Sequence, residues 1–171
     1  MTPLLARARP RPRLVATVVA MLVACVALLA AGCPLTDDGV VWVEETQQAS
    51  VRADELVRRG DRNGARRELR TIVELEAPES VAPADRRIVV QDATFRLAEL
   101  DLGDGRAHEA LRWAERGLAL GVAEDVFAAN LFVVRGRARE TLGRDREAAD
   151  DFYRALRINE ELLRRALGED G

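Results

Sequence analysis

The spacing of small and large residues in Phe132 to Glu160 constrains this chain more than any other feature. Upstream of it Phe127, Leu131, Val134, Ala138 and Thr141/Leu142 recur at three- and four-residue steps, the apolar stripe of an amphipathic helix. Gly143 supplies a left-handed stop. A second helix follows, with Ala148, Phe152, Ala155 and Leu156 expected on one face. Two antiparallel helices approach closely only where side chains are short, so Gly136, Ala148 and Ala155 are expected at the crossing, with Phe132 and Phe152 filling the space beside it.

Two weaker copies precede this hairpin. In the first, Trp42, Thr46, Ala49, Ala53 and Leu56 form a stripe, Gly60-Asp61 turns the chain, and Ala65, Leu69, Ile72 and Val73 face inward before Pro78. In the second, Asp85 is the expected N-cap of a helix through Leu102, with Val90, Ala93/Thr94 and Leu97 inward. Ala107, Ala110, Leu111, Ala114, Gly117 and Leu118 form its return helix. Either the turn at Leu102-Gly103 is two residues longer than the others, or Gly105 is the turn glycine.

The third hairpin resembles the tetratricopeptide repeat, with Phe132, Gly136, Gly143, Ala148, Phe152 and Ala155 on family positions. Arg135 stands in place of the usual Leu, Arg139 in place of a large apolar residue, and Glu160 in place of the closing Pro. Ala65 and Ala110 lie 45 residues apart and Ala110 and Ala148 lie 38 apart. Both exceed the family's period of about 34, which places the extra residues in loops near 76–84 and 119–124. The resemblance implies an all-α fold: about three antiparallel hairpins, near 44–78, 85–120 and 124–160, stacked as a short right-handed solenoid. It also implies a groove lined by the first helix of each repeat. Its lining would be Gln47, Asp54 and Arg58, then Asp92, Phe95 and Glu99, then Asn130, Arg137 and Glu140. These do not reproduce the Lys/Asn clamp of chaperone-tail binders. Leu162, Leu163 and Leu167 extend the last helix or cap the stack, and residues 168–171 fray.

Composition agrees with a helical protein. The chain is 171 residues, 48% apolar and 32% charged, with 4% aromatic content. All 26 basic residues are Arg, which reads as coding bias rather than chemistry.

Residues 1–32 read as a targeting segment. Arg7, Arg9, Arg11 and Arg13 precede an uncharged run from Leu14 to Gly32 that is long enough to cross a bilayer, so length does not separate a signal from a span. Leu29-Ala30-Ala31-Gly32-Cys33 resembles the bacterial lipobox, although Ala30 stands where Leu is usual. That resemblance implies acyl chains on Cys33, cleavage before it and stable attachment to a membrane. Residues 33–40, rich in turn formers, form a short tether that keeps the helical domain, 41–167, close to the bilayer. The expected place is the periplasmic side of the envelope, at the inner or the outer membrane; Pro34 after Cys33, where enteric bacteria use Asp for inner-membrane retention, slightly favours the outer.

The leader carries four Arg and no acid, so its removal leaves 22 basic against 29 acidic residues, a net charge of −7. That argues against nucleic acid and against a basic patch on anionic lipid. Cleavage also removes Cys25 and leaves no thiol pair for a disulfide. His108 is the one histidine and is expected on a solvated face, which excludes a multi-His zinc centre. Asp54/Glu55, Glu124/Asp125 and Asp150/Asp151 lie among Arg residues and read as solvated charge. Trp42 reads as a core or capping residue rather than a ligand platform. There is no GxGxxG, phosphate loop or GxSxG. The chain is expected to be a noncatalytic, cofactor-free scaffold for other envelope proteins or peptides. The alternative is a regulator of a cell-wall enzyme or a small-ligand sensor, which a deep apolar pocket would favour over a broad groove.

Overall fold

The computed structural model describes residues 38–168. The leader, Cys33 and the tether up to residue 37 lie outside the described residues, as do residues 169–171. The described chain is all-helical: α1 (Asp38–Arg58), α2 (Arg62–Glu74), α3 (Pro83–Gly103), α4 (Ala107–Leu118), α5 (Val126–Thr141) and α6 (Asp145–Ala166). Consecutive helices pack as the pairs α1/α2, α3/α4 and α5/α6, joined by contacts of α2 with α3, α4 with α5 and α3 with α5. The longer connections fall at 75–82 and 119–125, as the spacing of the alanines requires.

The three hairpins close with one turn. Gly60, Gly105 and Gly143 have φ of 81°, 74° and 72°, where a Cβ is costly. The next residue's N–H reaches back to the carbonyl five positions earlier: Asp61 to Leu56, Arg106 to Asp101 and Arg144 to Arg139, each at 2.8 Å. These bonds satisfy the last carbonyls of α1, α3 and α5. Gly105 is therefore the turn glycine of the second hairpin, and Gly103 is the last residue of α3.

Counted from those glycines, the core repeats. Seven residues before each lie Ala53, Ala98 and Gly136, and five after lie Ala65, Ala110 and Ala148, all buried. Twelve after lie Ile72, Gly117 and Ala155, also buried. An added Cβ on Gly136 would lie 2.6 Å from the Phe152 ring, so this crossing is as close as the small residues suggest. One apolar cluster joins α1, α2 and α3 around Ala53, Leu69 and Leu97, and another joins α3 to α6 around Ala114, Leu131, Phe132 and Val134. Trp113 packs against both. Each fully buried Leu contributes about 1.5–3 kcal/mol.

Three local expectations are corrected. α1 takes in Asp38, Gly39 and Val40, which the sequence assigns to the tether. The N-cap of α3 is Ala82 rather than Asp85, because Pro83 at the first helical position has no N–H to satisfy. Asp85 sits in the first turn, where its charge suits the helix dipole. Leu156 points outward, and Ile158 takes the inner place one turn beyond Ala155.

Candidate functional site

The residues assigned to a groove belong to α1, α3 and α5, and an arginine that sequence spacing did not single out ties two of these helices together. Arg96 of α3 donates from Nη1 to Ser50 Oγ at 2.7 Å, forms an ion pair with Asp54, and lies 3.7 Å from Asp92. Burial pushes the Asp92 carboxyl above its ordinary value, Arg96 opposes that shift, and Asp54 adds to it. Farther along, Arg137 Nη1 of α5 donates to Glu99 Oε1 of α3 at 2.6 Å. The Asp92–Arg96 spacing of one helical turn was the signal for Arg96, but its reach to Ser50 and Asp54 depends on how α1 and α3 sit.

The structure thus brings Asp54, Asp92, Glu99 and Arg137 into a charged ladder across three helices. Phe95 does not join it: its ring is half-buried and packs against the apolar cluster of α3 to α6. Gln47, Arg58 and Glu140 are exposed and Asn130 is half-buried. Among the described residues, none of these four side chains bonds to the ladder. Gln47 borders an open depression of about 480 Å³ together with Glu44, Gln48, Val51 and Arg52.

Charges also enter the interior, against the expectation that the acidic pairs are all solvated. Asp151 is buried and accepts from Arg135 Nε at 2.9 Å, Arg135 Nη2 at 2.6 Å and Arg139 Nη1 at 2.7 Å. The two arginines that break the repeat pattern are therefore partners of one acid on the facing helix. Asp125 caps α5 by accepting from Ala128 N at 2.9 Å and pairs with Arg87 at 2.8 Å. Between the first two hairpins, buried Arg66 donates to Asp101 at 2.7 Å, to the Leu100 carbonyl at 2.8 Å, and to Asp104. Hydrogen bonding from Arg66, with the charges of Arg62 and Arg106 beside it, holds the Asp104 carboxyl below its ordinary range. A cleft of about 450 Å³ beside this network is lined by Asn63, Arg66, Arg67, Arg70, Asp101, Arg106 and Glu109. His108 is exposed, as expected, and Trp42 is buried in the core.

Among the described residues, no group of three or more His, Cys, Asp or Glu could hold a metal ion, and no helix is long and apolar enough to cross a membrane. The architecture and surface together define an all-helical protein of paired hairpins with a polar, ion-paired face. Comparison of the chain with family models, with curated proteins and with solved structures finds no match.

Proposed function

We propose that this chain is a lipid-anchored scaffold of the bacterial cell envelope, built from three tetratricopeptide-like hairpins stacked as a short right-handed solenoid. Its activity is noncatalytic protein–protein interaction through the face shared by α1, α3 and α5, with a peptide or helix of another envelope protein as partner. The recurrence of one turn, with a fixed count from each turn glycine to the buried small residues, carries this reading. The bridges from Arg96 to α1 and from Arg137 to α3 support a face shared by the first helices of the hairpins. The open depression beside Gln47, with Glu44, Gln48 and Arg52 on its walls, suits a polar or charged segment. The anchor rests on Leu29 to Cys33 and places the protein on the periplasmic side, at the outer membrane.

The test uses the tagged full chain in its native membranes. Affinity purification in mild detergent with mass spectrometry is expected to return envelope proteins with the wild type and to lose them with Arg58→Glu, Glu140→Arg. Both positions are exposed, so the fold should survive the changes. Cys33→Ala should alter electrophoretic mobility and release the protein from the membrane. Partners retained by the surface variant would overturn the groove, and unchanged mobility with full membrane attachment would overturn the lipid anchor.

A further inference from the structure

The last helix is apolar on two opposite faces. Ala148, Ala155 and Ile158 are buried, and Leu162 packs against the cluster of α3 to α6. On the other side Ala149, Tyr153, Leu156, Glu160, Leu163 and Leu167 recur at steps of four, three, four, three and four. Tyr153, Leu156, Leu163 and Leu167 are 61%, 54%, 60% and 63% exposed. Alternating steps of three and four make the seam by which one helix packs along another, and a single helix leaves that seam in water.

The charges beside the seam select the occupant. Asp150, Arg157 and Arg164 each follow a seam residue by one position and so line the same edge. If a second copy of this helix runs antiparallel, Tyr153 meets Leu163 of the second copy, and Leu156 lies beside its Glu160. Ala149 meets its Leu167. In the same register Asp150 faces Arg164 of the second copy at both ends, and at the centre the two Arg157 side chains meet on the axis, where the Glu160 of each copy lies beside them and offsets their charge. A parallel pair would instead press Glu160 on Glu160 within the seam and bring no opposite charges together, which is unfavourable. Asp150 has no ion-pair partner among the described residues, whereas Arg164 is held at 2.6 Å by Glu161 of its own helix while half of its side chain stays exposed.

We infer that α6 is a self-association surface on which a second copy of this chain docks antiparallel about a two-fold axis, a contact separate from the face of α1, α3 and α5. One helix face is small against the roughly 800 Å² per partner of a stable complex, so the dimer is concentration-dependent, with a dissociation constant of about micromolar. The test is sedimentation equilibrium of the purified full chain in density-matched detergent, from about 1 to about 200 µM. The expected result is a two-chain mass at the upper concentrations for the wild type and a one-chain mass for Leu156→Glu. Asp150→Arg and Arg164→Asp should each weaken association about tenfold, and the two together should restore it, because the swap recreates both end pairs. Every substituted side chain is exposed, so thermal unfolding by circular dichroism should match the wild type. A one-chain mass for the wild type throughout, unaltered association of Leu156→Glu, or a double variant no tighter than the single ones would overturn the proposal.

Discussion

Gly117 lies inside α4 at the place where the first hairpin has Ile72 and the third has Ala155, so the repeat pattern alone would accept alanine there. Helix propensity would welcome it, by about 1 kcal/mol. The packing does not. An added Cβ would press on Thr94 Oγ1 and lie 2.8 and 3.0 Å from the two Leu131 methyl carbons. Thr94 and Leu131 are both fully buried, and the Thr94 hydroxyl is held by the Val90 and Gln91 carbonyls at 2.9 and 3.0 Å. Neither neighbour can retreat into solvent. Overpacking of such a site costs about 1–3 kcal/mol, and the sub-contact distances place this one at the upper end. After the propensity gain, Gly117→Ala should destabilise by about 1–2 kcal/mol and lower Tm by about 5 °C or more. Gly136→Ala is the control. Its Cβ would meet the Phe152 ring at 2.6 Å, but that ring is half-buried and can tilt outward, so the net change should stay within about 1 kcal/mol. Thermal and urea unfolding by circular dichroism measure both. Equal losses in the two variants, or an unchanged Gly117→Ala, would refute the idea that the mobility of the neighbour decides the sign.

Asp151→Asn should cost about 3 kcal/mol in urea unfolding, because it leaves the nearly buried Arg135 without a countercharge and Arg139 with Glu147 alone, at 3.5 Å. Replacing all three residues by Leu should recover most of that loss, and a triple variant as unstable as Asp151→Asn would show that the charges stabilise outright. Stability should also depend on acid through Asp104. Its carboxyl is held below the ordinary value of 3.8, so the folded state releases this proton more readily than the unfolded chain. The contribution is then complete above that value and is lost as pH falls below it through the lower folded-state pKa. Asp104→Asn should flatten the fall of Tm in this acid range, and an unchanged slope would remove Asp104 from the account. Asp92 acts with the opposite sign: its raised pKa means that its contribution is present at low pH and is lost as pH rises through the folded value.

The helices were legible because a three-to-four-residue stripe of apolar positions states which face is buried whatever the neighbours are. Trp42, Ala49 and Ala53 on α1, or Val90, Thr94 and Leu97 on α3, are buried as their spacing requires. The turns were legible where Gly follows Leu without competition, at Gly143. Between Leu102 and Arg106 two glycines competed, and only the φ of 74° at Gly105 and the Arg106 to Asp101 bond decide between them. Helix ends were less legible. Proline at the first position of α3 displaced the capping role from Asp85 to Ala82, since a missing donor needs no acceptor.

The interior charges were hidden for a different reason. An apolar stripe is a property of one helix, but a buried ion pair is a property of two, and its members carry no fixed spacing. Arg66 and Asp101 are 35 residues apart, Arg135 and Asp151 are 16 apart, and Arg139 and Asp151 are 12 apart. Each acid alone looks like solvated charge. The visible trace was indirect: Arg135 and Arg139 occupy places where the resembled pattern wants apolar side chains, and a buried cation at such a place requires an acid from the facing helix. The same logic limits the candidate groove. Asp54, Asp92, Glu99 and Arg137 could be assigned to a face from position alone, but their pairing through Arg96 and with one another depends on the offset between neighbouring hairpins. That offset is set by loops of unequal length, so the charged ladder follows from packing and not from any single helix.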